Sequence, residues 1–339
     1  MINEYWYNTL NNSEKTIYKN MFASFSRMKF DVDCGNVKPQ DLPRIYSAVM
    51  DDHPEIFYIT FNPSASQKVS FFGVSVVFNS ASIFSNSEVN RYKSVMDNIA
   101  KSIKLKTNGL KTEEEKERVI VDYIIENVTY QIDMKFNQNA GTCLVEGKAQ
   151  CSGIARAVKY LCDCVGLWCI VVSGEIDDRA SGTTGPHAWN IIRVDGKYYH
   201  LDATLTLPCN PTKTKPFRYL YYNYSDSEIK VNHVWNTKTP ICVDVFAKNN
   251  TNQTTTKVIT NSSNVLSSLY EVRVGLADTL KNKRETFSFS SNIRCESDEE
   301  LMKVVNLATS TAIKTSPNKV ASARVSVQGG NVIITFSYR

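Results

Sequence analysis

The chain has 339 residues, 42% hydrophobic and 22% charged, proportions that exclude a disordered or fibrous polymer and allow two or three lobes. Its net charge of +5 comes from dispersed Lys and Arg with no run of five, so a nucleic-acid partner is not expected. No stretch reaches the ~20 apolar residues of a membrane span. The opening residues lack the basic and apolar segments of a signal peptide, which points to the cytoplasm, or to the surface or exterior if a leader has been removed.

The first predicted helix is capped at Ser13 and carries Ile17, Met21, Phe22 and Phe25 at helical spacing. Residues 29–34 alternate as a strand. Residues 40–50 form a second helix (Leu42, Ile45, Tyr46, Val49) that His53-Pro54 ends. Residues 56–61 and 69–78, rich in β-branched and aromatic side chains, read as strands. This α-β-α-β-β lobe spans 1–84. A helix over 87–103 opens the middle, followed by one that Thr112 and Glu115 start as a capping box. After Val128-Thr129-Tyr130 the chain is irregular, until Gly147-Lys148-Ala149-Gln150-Cys151-Ser152-Gly153 leads into a helix with Ile154, Val158, Leu161, Cys162 and Val165 on one face. Residues 169–173 form a buried-type strand, and 187–194 and 197–204 a hairpin about Asp195-Gly196. The core therefore spans 85–245, and the Asn- and Thr-rich residues 248–264 read as a linker. The last lobe, 265–339, repeats the first: helix 265–280, strand 285–290, helix 298–312, and strands 320–327 and 332–338 joined at Gly329-Gly330.

Nine cysteines, an odd number without framework spacing, read as reduced thiols, most of them small buried hydrophobes. Cys162 and Cys164 are too close together for a usual zinc pair, and none of the four histidines is spaced for metal binding from another; no metal and no cofactor are expected. Cys151 stands apart because it begins a helix, where unsatisfied N–H groups favour the thiolate and Gly153 leaves the approach unhindered. In the hairpin a two-residue turn pairs Trp189 with Asp202 and puts His187, Trp189 and Asp202 on one face. His187 and Asp202 are then diagonal neighbours, roughly 7 to 8 Å apart. A carboxylate on one imidazole nitrogen leaves the other to take a thiol proton. His200 lies on the same face and competes as the base. His53 and His233, with no cysteine nearby, read as structural.

Three blocks in order, Gly147 to Gly153, His187-Ala188-Trp189-Asn190, and Tyr199-His200-Leu201-Asp202-Ala203-Thr204, resemble the transglutaminase-like superfamily of papain-type folds. The resemblance covers about residues 110–205. The flanking lobes are similar to those of bacterial members, in which a segment like Asp52-His53-Pro54-Glu55-Ile56-Phe57-Tyr58 precedes the core. It implies an α+β fold, a helix bearing the cysteine packed on an antiparallel sheet bearing His and Asp. It also implies a thioester on Cys151, with His187 as acid and base, Asp202 orienting it and Trp189 walling the site. A second oxyanion donor would come from Tyr130, Gln131 or Gln150. The implied substrate is a peptide or protein amide, and hydrolysis is the expected reaction. An amine acceptor (transglutaminase) and an inactive peptide- or cell-wall-binding module are the alternatives.

Overall fold

The computed structural model describes residues 3–70, 73–131, 137–178, 183–209, 221–230, 232–244, 246, 265–266, 269–291, 295, 297–316 and 318–338. The expected linker, 248–264, lies outside them. Among the described residues no helix is long and apolar enough to cross a membrane.

The chain opens with helices α1 (Tyr5–Thr9) and α2 (Asn12–Ser26). Asn11, not Ser13, caps α2, because its side chain reaches Glu14 N at 3.0 Å while Ser13 sits inside the first turn. Strand β1 (Asp31–Asp33) and helix α3 (Leu42–Asp52) follow. The strand expected over 56–61 does not form. Pro54–Ile56 is a 3-10 turn, and Phe57, Tyr58 and Ile59 pack into the core with a single bridge, Ile59 to Ser82. The strand expected over 69–78 is instead part of a hairpin, β2 (Ser64–Ser70) and β3 (Gly73–Asn79), broken where Gly73 adopts φ +128°.

Capping boxes at Ser85 and Thr112 open α4 (Asn86–Thr107) and α5 (Glu113–Asn127). Next come β4 (Thr129–Tyr130), α6 (Ala140–Glu146), β5 (Lys148–Ala149) and α7 (Cys151–Val165). Strands β6 (Cys169–Asp178), β7 (Thr183–Val194) and β8 (Lys197–Leu201) lead to α8 (Ala203–Cys209). The second hairpin strand thus stops at Leu201, short of the expected 204, because Asp202 caps a helix: its Oδ1 accepts from Leu205 N at 3.1 Å. Helix α9 (Asp226–Ile229) and β9 (His233–Val234) complete the middle, whose sheet has the order β8-β7-β6-β9. The last segment holds β10 (Val265–Leu266), α10 (Leu269–Lys281), β11 (Thr286–Ser291), α11 (Asp298–Thr315), β12 (Val320–Gln328) and β13 (Asn331–Tyr338). The fold is thus α+β.

By contacts the chain divides into one unit of Met1–Val172, Ala188–Lys197 and Asp202–Leu207, and another of Ser173–His187, Tyr198–Leu201 and Pro208–Arg339. The core of the first gathers Phe25, Ile45, Val49, Ile103, Ile120, Ile154 and Leu161. That of the second includes Val272, Leu276, Phe289, Val304 and Ile334. Each contains a similar three-strand arrangement, to which the second adds β10 parallel to β11. Strands β1-β3-β2 and β11-β13-β12 are both wholly antiparallel, with a helix before the first strand and another between the first and second.

Candidate active site

Two short parallel strands deliver the chain to Cys151. Thr129 pairs with Lys148 and Tyr130 with Ala149, and Gln131 N donates to Ala149 O at 3.0 Å. Gln150 N donates to Asn137 O at 2.9 Å, and α7 begins at the next residue. The Gln150 side chain does not cap the helix; its Oε1 accepts from Gln138 Nε2 at 3.4 Å. The first-turn amides of α7 therefore point toward the end where Cys151 sits, a setting that favours negative charge on sulfur.

Cys151 is half-buried against Ala155, Val171 and Ala188. Burial pushes the Cys34 thiol up to about 11, and it also raises Cys143, Cys162, Cys164 and Cys242. Those five are poor nucleophiles at neutral pH. Gly153 does not serve to open the approach, as the sequence suggested. A Cβ there would stand 2.5 Å from Asn137 O and 2.9 Å from Ala149 Cβ, so the glycine lets the 137–139 loop press on the first turn of α7.

Strand β7 is tied to α7 through Asn190, whose Nδ2 donates to Ala155 O (2.9 Å) and Ile170 O (3.1 Å). Ala188 joins the cluster that Cys151 touches, and His187 is its covalent neighbour. The β7–β8 turn has Asp195 at φ 51° and Gly196 at φ 80°, the left-handed pair of a type I′ turn. Asp202 follows directly on the last residue of β8 and is fully buried, as is Trp189. Burial raises the Tyr130 phenol pKa, and Cys151 and Asp202, when ionised, raise it further by charge repulsion. Of the three residues offered as oxyanion donors, Gln131 has its backbone N–H on Ala149 and Gln150 its side-chain oxygen on Gln138.

His187 is buried, with its ring 5.4 Å from that of His233. The sequence had set His233 aside as structural; nothing local in so short a strand as β9 signals this neighbour. His233 is held in turn by Asn232, whose Oδ1 is 2.7 Å from its Nδ1. His200, the competing base, is committed elsewhere. Its Nε2 lies 2.9 Å from Asp226 Oδ1, a carboxylate the hairpin register could not reveal. Burial lowers its pKa despite that partner. His53 stacks on Phe22 at 3.7 Å and bonds Glu55 at 2.9 Å, a structural role.

Residues 97–203 match the transglutaminase-like superfamily. The transglutaminase-like segment contains Tyr130, Cys151, His187 and Asp202, and it supports a cysteine-dependent activity in general terms. No curated protein matches the chain. Among solved structures, a TGase shares 16% identity over 42% of this chain and 44% of its own, with a TM-score of 0.30. A protein of Cytophaga hutchinsonii provisionally named a cysteine protease shares 14% over 43% and 63%, with a TM-score of 0.29. One of Parabacteroides distasonis ATCC 8503, provisionally named a protease, shares 11% over 83% and 63%, with a TM-score of 0.29. The chain spans less than two thirds of each of these, and at such scores the likeness carries no functional weight.

Proposed function

We propose that the chain is a cysteine-dependent acyl-transfer enzyme, hydrolytic in its intrinsic reaction, acting on a peptide or glutamine amide. The observation that carries this reading is the position of Cys151: first residue of α7, half-buried, and packed on a cluster that includes Ala188, the residue after His187. Residues 85–245 would form the catalytic core between the lobes 1–84 and 265–339.

In this mechanism His187 accepts the thiol proton and the sulfur attacks the carbonyl carbon. The C–N bond breaks as the nitrogen takes that proton from His187, leaving a thioester. Water, deprotonated by the same imidazole, then releases the acid. Asp202 holds the imidazole in the tautomer whose second nitrogen faces sulfur. Tyr130, which responds to both Cys151 and Asp202, would donate its phenol proton as a hydrogen bond to the oxyanion, beside the Cys151 amide. An amine in place of water would give a transglutaminase.

The test is to offer a glutamine donor peptide with and without a primary amine. Released acid or ammonia without the amine, lost in Cys151→Ala, is the expected result. Product only with the amine would make transfer the intrinsic reaction. Turnover unchanged in Cys151→Ala, or peptide binding with no turnover in the unmodified protein, would overturn the assignment.

A further inference from the structure

His200, Asp226 and Cys242 converge on one another. Their ligand-type atoms, one ring nitrogen, one carboxylate oxygen and one sulfur, all lie within 4.8 Å of one another. His200 and Cys242 are fully buried, and the Asp226 side chain is 21% exposed. The three come from separate stretches: β8, the first turn of α9, and the segment after β9. Backbone bonds lock those stretches together. His200 and Tyr224 exchange N–H to O bonds of 2.8 and 2.9 Å. Asp226 N donates to Cys242 O at 2.7 Å, and Cys242 N donates to Asp226 Oδ1 at 3.2 Å.

We propose that these three residues form a site for a zinc-class divalent cation. Zinc bonds of about 2.0–2.3 Å to N, O and S set tetrahedral ligand atoms roughly 3.3–3.7 Å apart. The cluster needs only a small closing movement to meet that spacing. A mixed N, O, S set suits a borderline-soft ion and not calcium or magnesium, which select oxygen. The cation would replace the 2.9 Å contact between His200 Nε2 and Asp226 Oδ1. It would bind His200 through the nitrogen lone pair, Asp226 through Oδ1 and Cys242 as thiolate, whose proton leaves to solvent. Lys230 Nζ, 3.2 Å from Asp226 Oδ2, neutralises the other carboxylate oxygen and keeps it monodentate. Three protein donors leave a fourth position for water. The indole of Trp235 covers His200, with ring centres 4.8 Å apart, and supplies a reporter. No spacing motif announces such a site, because its members stand 26 and 16 positions apart.

The experiment strips the full chain with a chelator and titrates it with Co²⁺, then with Zn²⁺. The expected result is one equivalent of Co²⁺ with a thiolate-to-cobalt charge-transfer band, displaced by Zn²⁺, and a change in tryptophan emission. Cys151→Ala should keep both signals. Cys242→Ser should lose the band, and His200→Gln should weaken binding at least tenfold. X-ray absorption on the zinc-loaded unmodified protein should show one sulfur in a shell of lighter atoms, which needs no variant to fold. Absence of stoichiometric binding, a shell without sulfur, or loss of the band in Cys151→Ala with retention in Cys242→Ser would overturn the site.

Discussion

The carbonyl oxygen of Asn137 lies 2.5 Å from where a Cβ on Gly153 would stand. Asn137 O also accepts from Gln150 N, and Asn137 Nδ2 donates to Gln131 O at 2.9 Å. One loop residue thus fixes the turn that presents Cys151 and the strand that presents Tyr130. Gly153→Ala must push backbone aside, since no flexible side-chain end is there to yield. Overpacking of this kind costs about 1–3 kcal/mol. A fall in melting temperature and slower alkylation of Cys151 by iodoacetamide are expected. Unchanged labelling would mean that the loop does not set the presentation of the thiol.

Arg156 reaches the same loop from α7. Its Nη1 donates to Gln138 O at 2.8 Å, while Nε and Nη2 both reach Asp51 Oδ1, at 3.0 and 2.8 Å. Asp51 is buried, so Arg156→Ala strands a carboxylate and should cost about 3–5 kcal/mol in denaturant unfolding. Arg156→Lys keeps the charge without the fork and should fall between Ala and the native residue. A lysine variant as unstable as the alanine one would show that geometry, not charge, dominates.

These two contacts mark the limit of what local pattern could reveal. The capping box at Thr112, the apolar stripe of α7 and the Asp195-Gly196 turn are short-range signals, and the corresponding elements form. The segment 56–61 misleads because β propensity measures fit to a half-buried surface, and here Phe57, Tyr58 and Ile59 are wholly buried without a ladder. Helix α6 escapes notice because Gly141 and Thr142 are weak helix formers and its start depends on an Asn139 cap. Cys151, His187 and Asp202 were legible as types in order. His233 beside His187, Asp226 beside His200 and Asn137 against Gly153 arise from chain segments that only tertiary structure brings together.

A pH effect follows from Asp52. Burial raises its pKa to about 7, although Tyr7 N, Trp6 N and the Tyr18 hydroxyl all donate to it. The unfolded carboxyl titrates near 4, so the folded state holds the extra proton between roughly pH 4 and pH 7. This group's stabilising contribution is complete below that window and is lost as pH rises through about 7. Asp52→Asn cannot ionise. Its unfolding free energy, measured against the native protein's, should gain with rising pH across the window, by at most about 1.4 kcal/mol per unit. Asp163, also raised by burial to about 6, keeps part of the slope in both proteins. A difference that stays flat from pH 4 to 7 would rule out Asp52 as a source.

Asp202 has two separable duties, and one pair of substitutions divides them. Its Oδ1 caps α8 through Leu205 N, a duty that asparagine performs as well as aspartate. In the proposed mechanism its charge holds His187 in the productive tautomer, which asparagine does poorly because its amide nitrogen donates where an acceptor is needed. Asp202→Asn should therefore unfold within about 1 kcal/mol of the native protein yet lose turnover by roughly 10³–10⁴-fold. Asp202→Ala should lose turnover similarly and give up about 1 kcal/mol more as the cap disappears. Denaturant midpoints and kcat/KM on one peptide substrate measure both effects. If asparagine keeps full activity, the buried carboxylate is only a helix cap, and the base at His187 must be oriented by another group, for which His233, with its ring 5.4 Å away, is a candidate.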